Sequence, residues 1–205
     1  MKKLLLIFYV AALFLTAYHA TAQGLSDADR KASLKYLKDT RVALKKSVAG
    51  LSEEQVKFKP TPESWNIAEC VEHLGIVEGA LFGAIQQSII PPADPARRSD
   101  VKQSDSDIWN LISSRSAKVK TNEAFVPSGK YSSFKETLAA FEDSRSKTTE
   151  YVKSTKDDFR NHYYEFPFGT TDIHQVVVFM AGHTDRHTQQ IEEVKADPNF
   201  PKKKL

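Results

Sequence analysis

Ile173-His174-Gln175-Val176-Val177-Val178-Phe179-Met180-Ala181-Gly182-His183-Thr184-Asp185-Arg186-His187-Thr188-Gln189-Gln190-Ile191-Glu192-Glu193-Val194 is the stretch on which the reading of this chain turns. Ile173, Val176, Val177, Met180, His183, His187, Ile191 and Val194 follow one another at steps of one, three or four residues. That spacing puts them on one face of an α-helix, the face that meets the core. Two histidines therefore stand where hydrophobic residues belong. His183 and His187 are one turn apart, so both imidazoles can aim at one point, a common way for one helix to supply two metal ligands. The pair alone is a weak signal, because core histidines can also be satisfied by hydrogen bonds. Thr184, not Glu, follows the first histidine, which removes the zinc-protease pattern from consideration.

Working outward, His73 strengthens the metal reading. It falls in a second helical pattern, from Ile67 to about Ile89, with Glu69, Val77 and Ala80 one to two turns away. Three unpaired imidazoles buried in one core are costly, and a shared cation satisfies all of them at once. Neutral imidazoles suit Zn, Ni or Fe rather than Mg or Ca. The remaining histidines read as ordinary: His174 is half a turn out of phase with His183, His162 lies in a polar connector, and His19 precedes the domain.

The rest of the chain reads as helix and loop. A first helix is expected from about Asp27 to Val48, capped by Ser26 and ended by Gly50, with Leu34, Leu37, Val42, Leu44 and Val48 as its apolar stripe. The connector Leu51–Trp65 holds Pro60 and Pro62 and should be extended, with Trp65 wedged against the bundle end. Asn66 and Glu69 form a capping-box pattern at the second helix, which Pro91-Pro92 stops. A polar, Pro-containing loop, expected to be mobile, follows over 91–104, then a short helix from Ser106 to Lys118. Ser133 and Glu136 start the next long helix, which runs to about Lys153. No segment reads as a sheet. Long amphipathic helices without strands point to an all-α fold, a four-helix bundle with one additional short helix.

The N-terminus has the three parts of a secretory signal peptide: Lys2-Lys3, the apolar run Leu4–Ala17, and the small-x-small site Ala20-Thr21-Ala22. We expect residues 1–22 to be removed and 23–205 to form one domain, periplasmic or secreted, with no remaining membrane segment. The chain has a formal net charge of +3, and the leader carries two lysines and no acid, so the domain is nearly neutral. That gives no reason to expect nucleic acid. Cys70 is the single cysteine, so no internal disulfide staples the domain, and its place on an apolar helix face reads as a small buried hydrophobe.

The phrases Gly50-Leu51-Ser52, Phe58-Lys59-Pro60, Trp65-Asn66-Ile67-Ala68-Glu69, Glu72-His73-Leu74 and Glu78, with His183-x-x-Arg186-His187-x-x-Gln190-Ile191, resemble the DinB/YfiT superfamily. The resemblance runs from the first helix to the last. It implies a four-helix bundle of up-down-down-up connectivity and a metal site of three histidines, one from the second helix and two from the last. On this chain those are His73, His183 and His187. It also implies activities of two kinds, transfer or isomerisation with small thiols and metal-dependent hydrolysis, and the export signal sets this chain apart from thiol-dependent cytosolic members.

Three protein ligands leave coordination positions open, the pattern of catalytic rather than structural sites. The expectation is an exported metal-dependent enzyme, of thiol-transferase or hydrolase type, acting on a small-molecule substrate and compatible with a homodimer. Glu69 can orient a ligand or accept a proton, or serve only as a capping partner. Arg186 can bind a substrate carboxylate, or serve as a charged flank. The alternative is a periplasmic binding or scaffold module whose metal is structural or absent. Trp65, Phe166 and Phe168 are the aromatic residues expected to line a pocket beside an open site.

Overall fold

The computed structural model describes residues 24–117 and 119–202, so the expected leader lies outside the described residues. Four long helices carry the fold: α1 (Asp27–Val48), α3 (Ile67–Ser88), α5 (Phe134–Ser154) and α6 (Ile173–Lys195). The short helices α2 (Glu53–Lys57) and α4 (Asp105–Ser113) lie in the connections. Their starts are written in the sequence. Ser26, Ser52, Asn66, Ser104, Ser133 and Asp172 each accept a backbone N–H of the first turn, and Asn66 and Glu69 close a full capping box. Gly50 ends α1 at φ +69°, a conformation open to a residue without Cβ.

Helix directions follow from what shares a core. One apolar cluster joins Leu37 of α1 with Ile85 of α3, Val152 of α5 and Val176 of α6. The other joins Val48, Ile67, Phe141 and Val194. The start of α1 thus lies with the end of α3, the end of α5 and the start of α6, which is up-down-down-up. In this arrangement α1 packs on α5 and α6, and α3 packs on the same two. Because α3 and α5 run the same way, residues 89–133 must return along the whole bundle. That return carries α4, which packs on the outer face of α6.

Five expectations are corrected. The connector after Leu51 is not wholly extended, because Ser52 and Gln55 cap a helical turn ahead of the prolines. The connector between α5 and α6, read without strands, forms a hairpin of β1 (Tyr163–Phe166) and β2 (Gly169–Asp172), with Tyr163 opposite Asp172 and Phe166 opposite Gly169. Pro167-Phe168 makes its turn, and Gly169 takes φ +131°, which other residues rarely adopt. The short helix occupies Asp105–Ser113 and stops ahead of Lys118, itself outside the described residues. The loop over 91–104 is anchored: Asp94 N–H donates to the Asn161 carbonyl at 2.8 Å, and Arg98 pairs with the buried Asp172. Val42 is exposed, and Thr40 takes the core-facing position instead.

At the middle of the bundle sits Arg145 of α5, fully buried. Its guanidinium donates to both carboxylate oxygens of Glu78 on α3 at 2.7 and 2.8 Å, to the Leu37 carbonyl and Thr40 hydroxyl of α1 at 2.9 and 3.1 Å, and to the Thr184 hydroxyl of α6 at 2.7 Å. One side chain therefore joins all four long helices. A buried charge is tolerated when its donors are met in this way. Among the described residues no helix is long and apolar enough to cross a membrane.

Candidate metal centre

The three histidines expected to converge do so. His73, in the second turn of α3, faces His183 and His187 across the α3–α6 contact. His73 Nε2 lies 3.2 Å from His183 Nε2, and His187 Nε2 lies 3.1 Å from the same atom. One ring nitrogen of each falls within 4.8 Å of the others. Two nitrogens of a tetrahedral zinc site, each about 2.0–2.1 Å from the ion, stand about 3.3 Å apart. The spacing therefore suits a first-row transition ion.

The far sides of the rings fix which nitrogen is free. His73 Nδ1 donates to the Phe125 carbonyl at 2.7 Å, and His187 Nδ1 donates to Gln190 Oε1 at 2.9 Å. Both acceptors take a proton on Nδ1, so Nε2 carries the lone pair toward the cluster. Electrostatics act in the same direction. Burial, followed by the charge of His73, pushes His187 down to about 3. Burial, then His187 and His73, pushes His183 well below the ordinary histidine value. Burial lowers His73 as well, partly opposed by its hydrogen bond to Phe125. All three shifts favour the neutral ring, the form of histidine that binds a metal.

Aromatic rings wall the cluster. Trp65 lies 4.8 Å from the His73 ring and 6.0 Å from that of His187, stacked on the latter. Phe179, one turn before His183, stacks on it at 5.8 Å. Phe166 and Phe168 of the hairpin reach the site only through Phe179, at 4.6 and 6.3 Å. His73 and His187 are 3% and 6% exposed, while His183 keeps partial access to solvent. The sequence reading missed Phe179 and the carbonyl of Phe125. Phe179 is legible as the residue four before His183, whereas nothing local marks Phe125.

The two weak candidates have other engagements. Glu69 accepts the Asn66 N–H at 2.8 Å and pairs with Lys59 at 2.8 Å, which is its capping role. Arg186 donates to the Ala117 carbonyl at 2.7 Å, and its charge is near enough to lower His183 and His187. His174 points away from the triad as expected but is not an ordinary surface residue. It is buried, 3.3 Å from Asp105 and 3.8 Å from Asp29. His162 is likewise buried, between the carbonyls of Asp158 and Pro91 at 2.7 and 3.0 Å. Cys70 is buried as expected, and burial pushes its thiol up to about 12, so it stays protonated.

Comparison with known proteins gives the family and the fold. A model of the DinB superfamily matches residues 36–191. The uncharacterized protein YuaE of Bacillus subtilis (strain 168) is 21% identical over 158 residues, 77% of this chain and 93% of YuaE. Among solved structures, YfiT from Bacillus subtilis is described as a probable metal-dependent hydrolase with an unusual four-helix bundle topology. It aligns with a TM-score of 0.55 at 14% identity, over 83% of this chain and 87% of YfiT, a likeness of fold. With the family model matching well over half its length, this chain belongs to the DinB superfamily.

Proposed function

We propose that this chain is an exported, metal-dependent enzyme acting on a small molecule, with a divalent Zn, Ni or Fe ion held by His73, His183 and His187. The observation that carries the reading is the convergence of three imidazole rings, one nitrogen of each within 4.8 Å of the others. Such a donor set matches a borderline transition metal and not Mg or Ca. Three protein ligands also leave room for water or substrate, as catalytic sites do. When bound, an ion of this kind supplies Lewis-acid activation of water or a thiol at neutral pH.

The chain's own groups do the rest. Trp65 and Phe179 shield the rings from water and offer flat apolar surface to a substrate. Arg186, one turn along α6 from His183, is the candidate for an anionic group on that substrate. The likeness to YfiT, described as a probable metal-dependent hydrolase, favours hydrolysis over thiol transfer. One observation favours the alternative of a binding or scaffold module with a structural metal: the one carboxylate considered as a proton acceptor, Glu69, is occupied by its cap and by Lys59.

Metal analysis of protein purified without a histidine tag tests the reading, followed by assays of ester, amide and thiol-transfer substrates on metal-loaded and chelated samples. Close to one ion per chain and metal-dependent turnover are expected. Bound metal without turnover on any class supports the binding module, and no uptake of Zn, Ni or Fe overturns the metal-dependent enzyme and leaves a module without metal. Export is tested by N-terminal sequencing of the fractionated protein, where Gln23 is expected first and an intact Met1 in the cytosol contradicts it.

A further inference from the structure

Glu72 stands one residue before His73 and is almost fully buried. No ion pair neutralises it among the described residues. Its carboxylate instead accepts three hydrogen bonds from a segment far along the chain: the Ser128 N–H and hydroxyl on one oxygen, both at 3.0 Å, and the Gly129 N–H on the other at 2.9 Å. Three converging donors require an acceptor-only group with two oxygens. Glutamine would turn its own NH2 against one of the backbone N–H groups. Gly129 is at φ +68°, which aims two successive N–H groups at one anion.

Three residues before Ser128 lies Phe125, whose carbonyl accepts the His73 Nδ1 proton. Adjacent residues of α3 thus grip the same segment at two points, Glu72 at Ser128–Gly129 and His73 at Phe125. The grip on Phe125 cannot itself place the segment, since one imidazole hydrogen bond is weak beside a buried carboxylate with three donors. We infer that Glu72 is a positioning residue for the metal ligand: it fastens residues 125–129 so that the Phe125 carbonyl holds His73 in the Nδ1–H form, with Nε2 turned to His183. The inference rests on the metal reading for its purpose, but not for its test.

The ring nitrogens of His73 in chelator-treated, full-length protein report the tautomer directly by nitrogen NMR. Wild type is expected to show a single Nδ1–H form, and Glu72→Gln a mixture with the Nε2–H form. A variant that keeps the pure Nδ1–H form overturns the inference, whether or not the protein binds metal. In metal titration, Glu72→Gln should lose about 10–100-fold in affinity, the range for partners that orient a ligand histidine. It should lose nothing further in the His73→Ala background. An equal loss in that background means a general effect on the fold and also overturns it. Ser128→Ala removes one of the three donors and serves where Glu72→Gln folds poorly, with the same direction and a smaller change. A wild type that takes up no metal defeats the proposed function and leaves the tautomer measurement to decide this point.

Discussion

Helices α3 and α6 meet at two polar crossings, about one and a half turns apart along α3, and the two are built in opposite ways. At one, Glu78 and Thr184 enclose Arg145, whose guanidinium also reaches Leu37 and Thr40. Every partner there comes from the chain, and positive charge meets negative. At the other, His73, His183 and His187 turn their Nε2 atoms toward one another, and the far nitrogens of His73 and His187 are held by the Phe125 carbonyl and by Gln190. The first crossing is closed and structural. The second gathers three like donor atoms that could hold one ion, and this is the physical difference between a closed polar network and a candidate site.

The closed crossing is the place to break that comparison first, and the effect there is the largest we expect. Glu78→Ala leaves Arg145 charged and unpaired in the core, which typically costs about 3–5 kcal/mol. Urea denaturation measures it. Replacing both partners, Glu78→Leu with Arg145→Met, should recover most of the loss. Thr40 and Thr184 still donate to the Tyr36 and Met180 carbonyls of their own helices, so neither hydroxyl is left without a partner when Arg145 no longer donates to it. A single variant costing under about 1 kcal/mol contradicts the role given to this network, since large losses are tied to uncompensated buried charge.

The open crossing should respond to metal instead. A ligand that binds only the folded state, at 100-fold excess over its Kd, stabilises it by about 2.7 kcal/mol. For a chain of this size that is a rise of about 5–10 °C in Tm. Zn or Ni should produce it in wild type and chelator should reverse it, while His73→Ala and His187→Ala should lose it. Melting curves that ignore both additions would falsify the assignment.

Much of this was legible in the sequence, for a reason that also marks the limit. Helix ends were readable because caps are local: Ser26, Asn66, Gly50 and Ser133 act within a few residues. His183 and His187 were readable because helical period fixes their direction, and His73 because it sits on a stripe. The closed crossing was not readable. Arg145 and Glu78 are 67 residues apart in sequence, and an arginine on a helix reads as surface until its partners are known. The same holds for His174 and His162, whose burial depends on distant aspartate and carbonyl groups. The hairpin escaped because its strands are four residues each and largely polar at Glu165, Thr170 and Thr171.

Acid sharpens the contrast from a third region, at the bundle end where α6 begins. Arg160 binds Asp29 and Asp105, each by two hydrogen bonds, and also Asp172. The hydrogen bond from Arg160 holds the Asp29 carboxyl below its usual range. At Asp105 burial pushes upward, but His174 and Arg160 together outweigh it and the net shift is downward. A carboxylate lowered in the folded state contributes stability that is present above the unfolded value, about 3.9, and lost as pH falls through the folded one. Stability should therefore decline as pH drops below about 4, with a shallower slope for Asp29→Asn or Asp105→Asn. An unchanged slope in both variants rejects the assignment.

His174→Ala carries the smallest expected effect on metal, and its value lies in that. His174 shares α6 with His183 and His187, is as buried as any ligand, and has neither ring nitrogen in a good hydrogen bond. By composition and burial alone it is as good a candidate as they are. Direction and company separate it: nine residues before His183 it is half a turn out of phase, and its ring meets Asp105 and Asp29 instead of other imidazoles. Metal affinity should stay within about twofold of wild type, because changes at distant sites without shared partners are independent. Stability should fall, since Asp105 loses a partner and a cavity opens. His187→Ala should give the converse for metal, a loss of binding, with a smaller cost to the metal-free fold, because the cavity it opens is partly offset by removal of a desolvated polar ring beside two others of the same kind. Affinity and urea midpoint measured on both variants complete the comparison. A loss of affinity in His174→Ala equal to that in His187→Ala means the ion is held on a different face of α6.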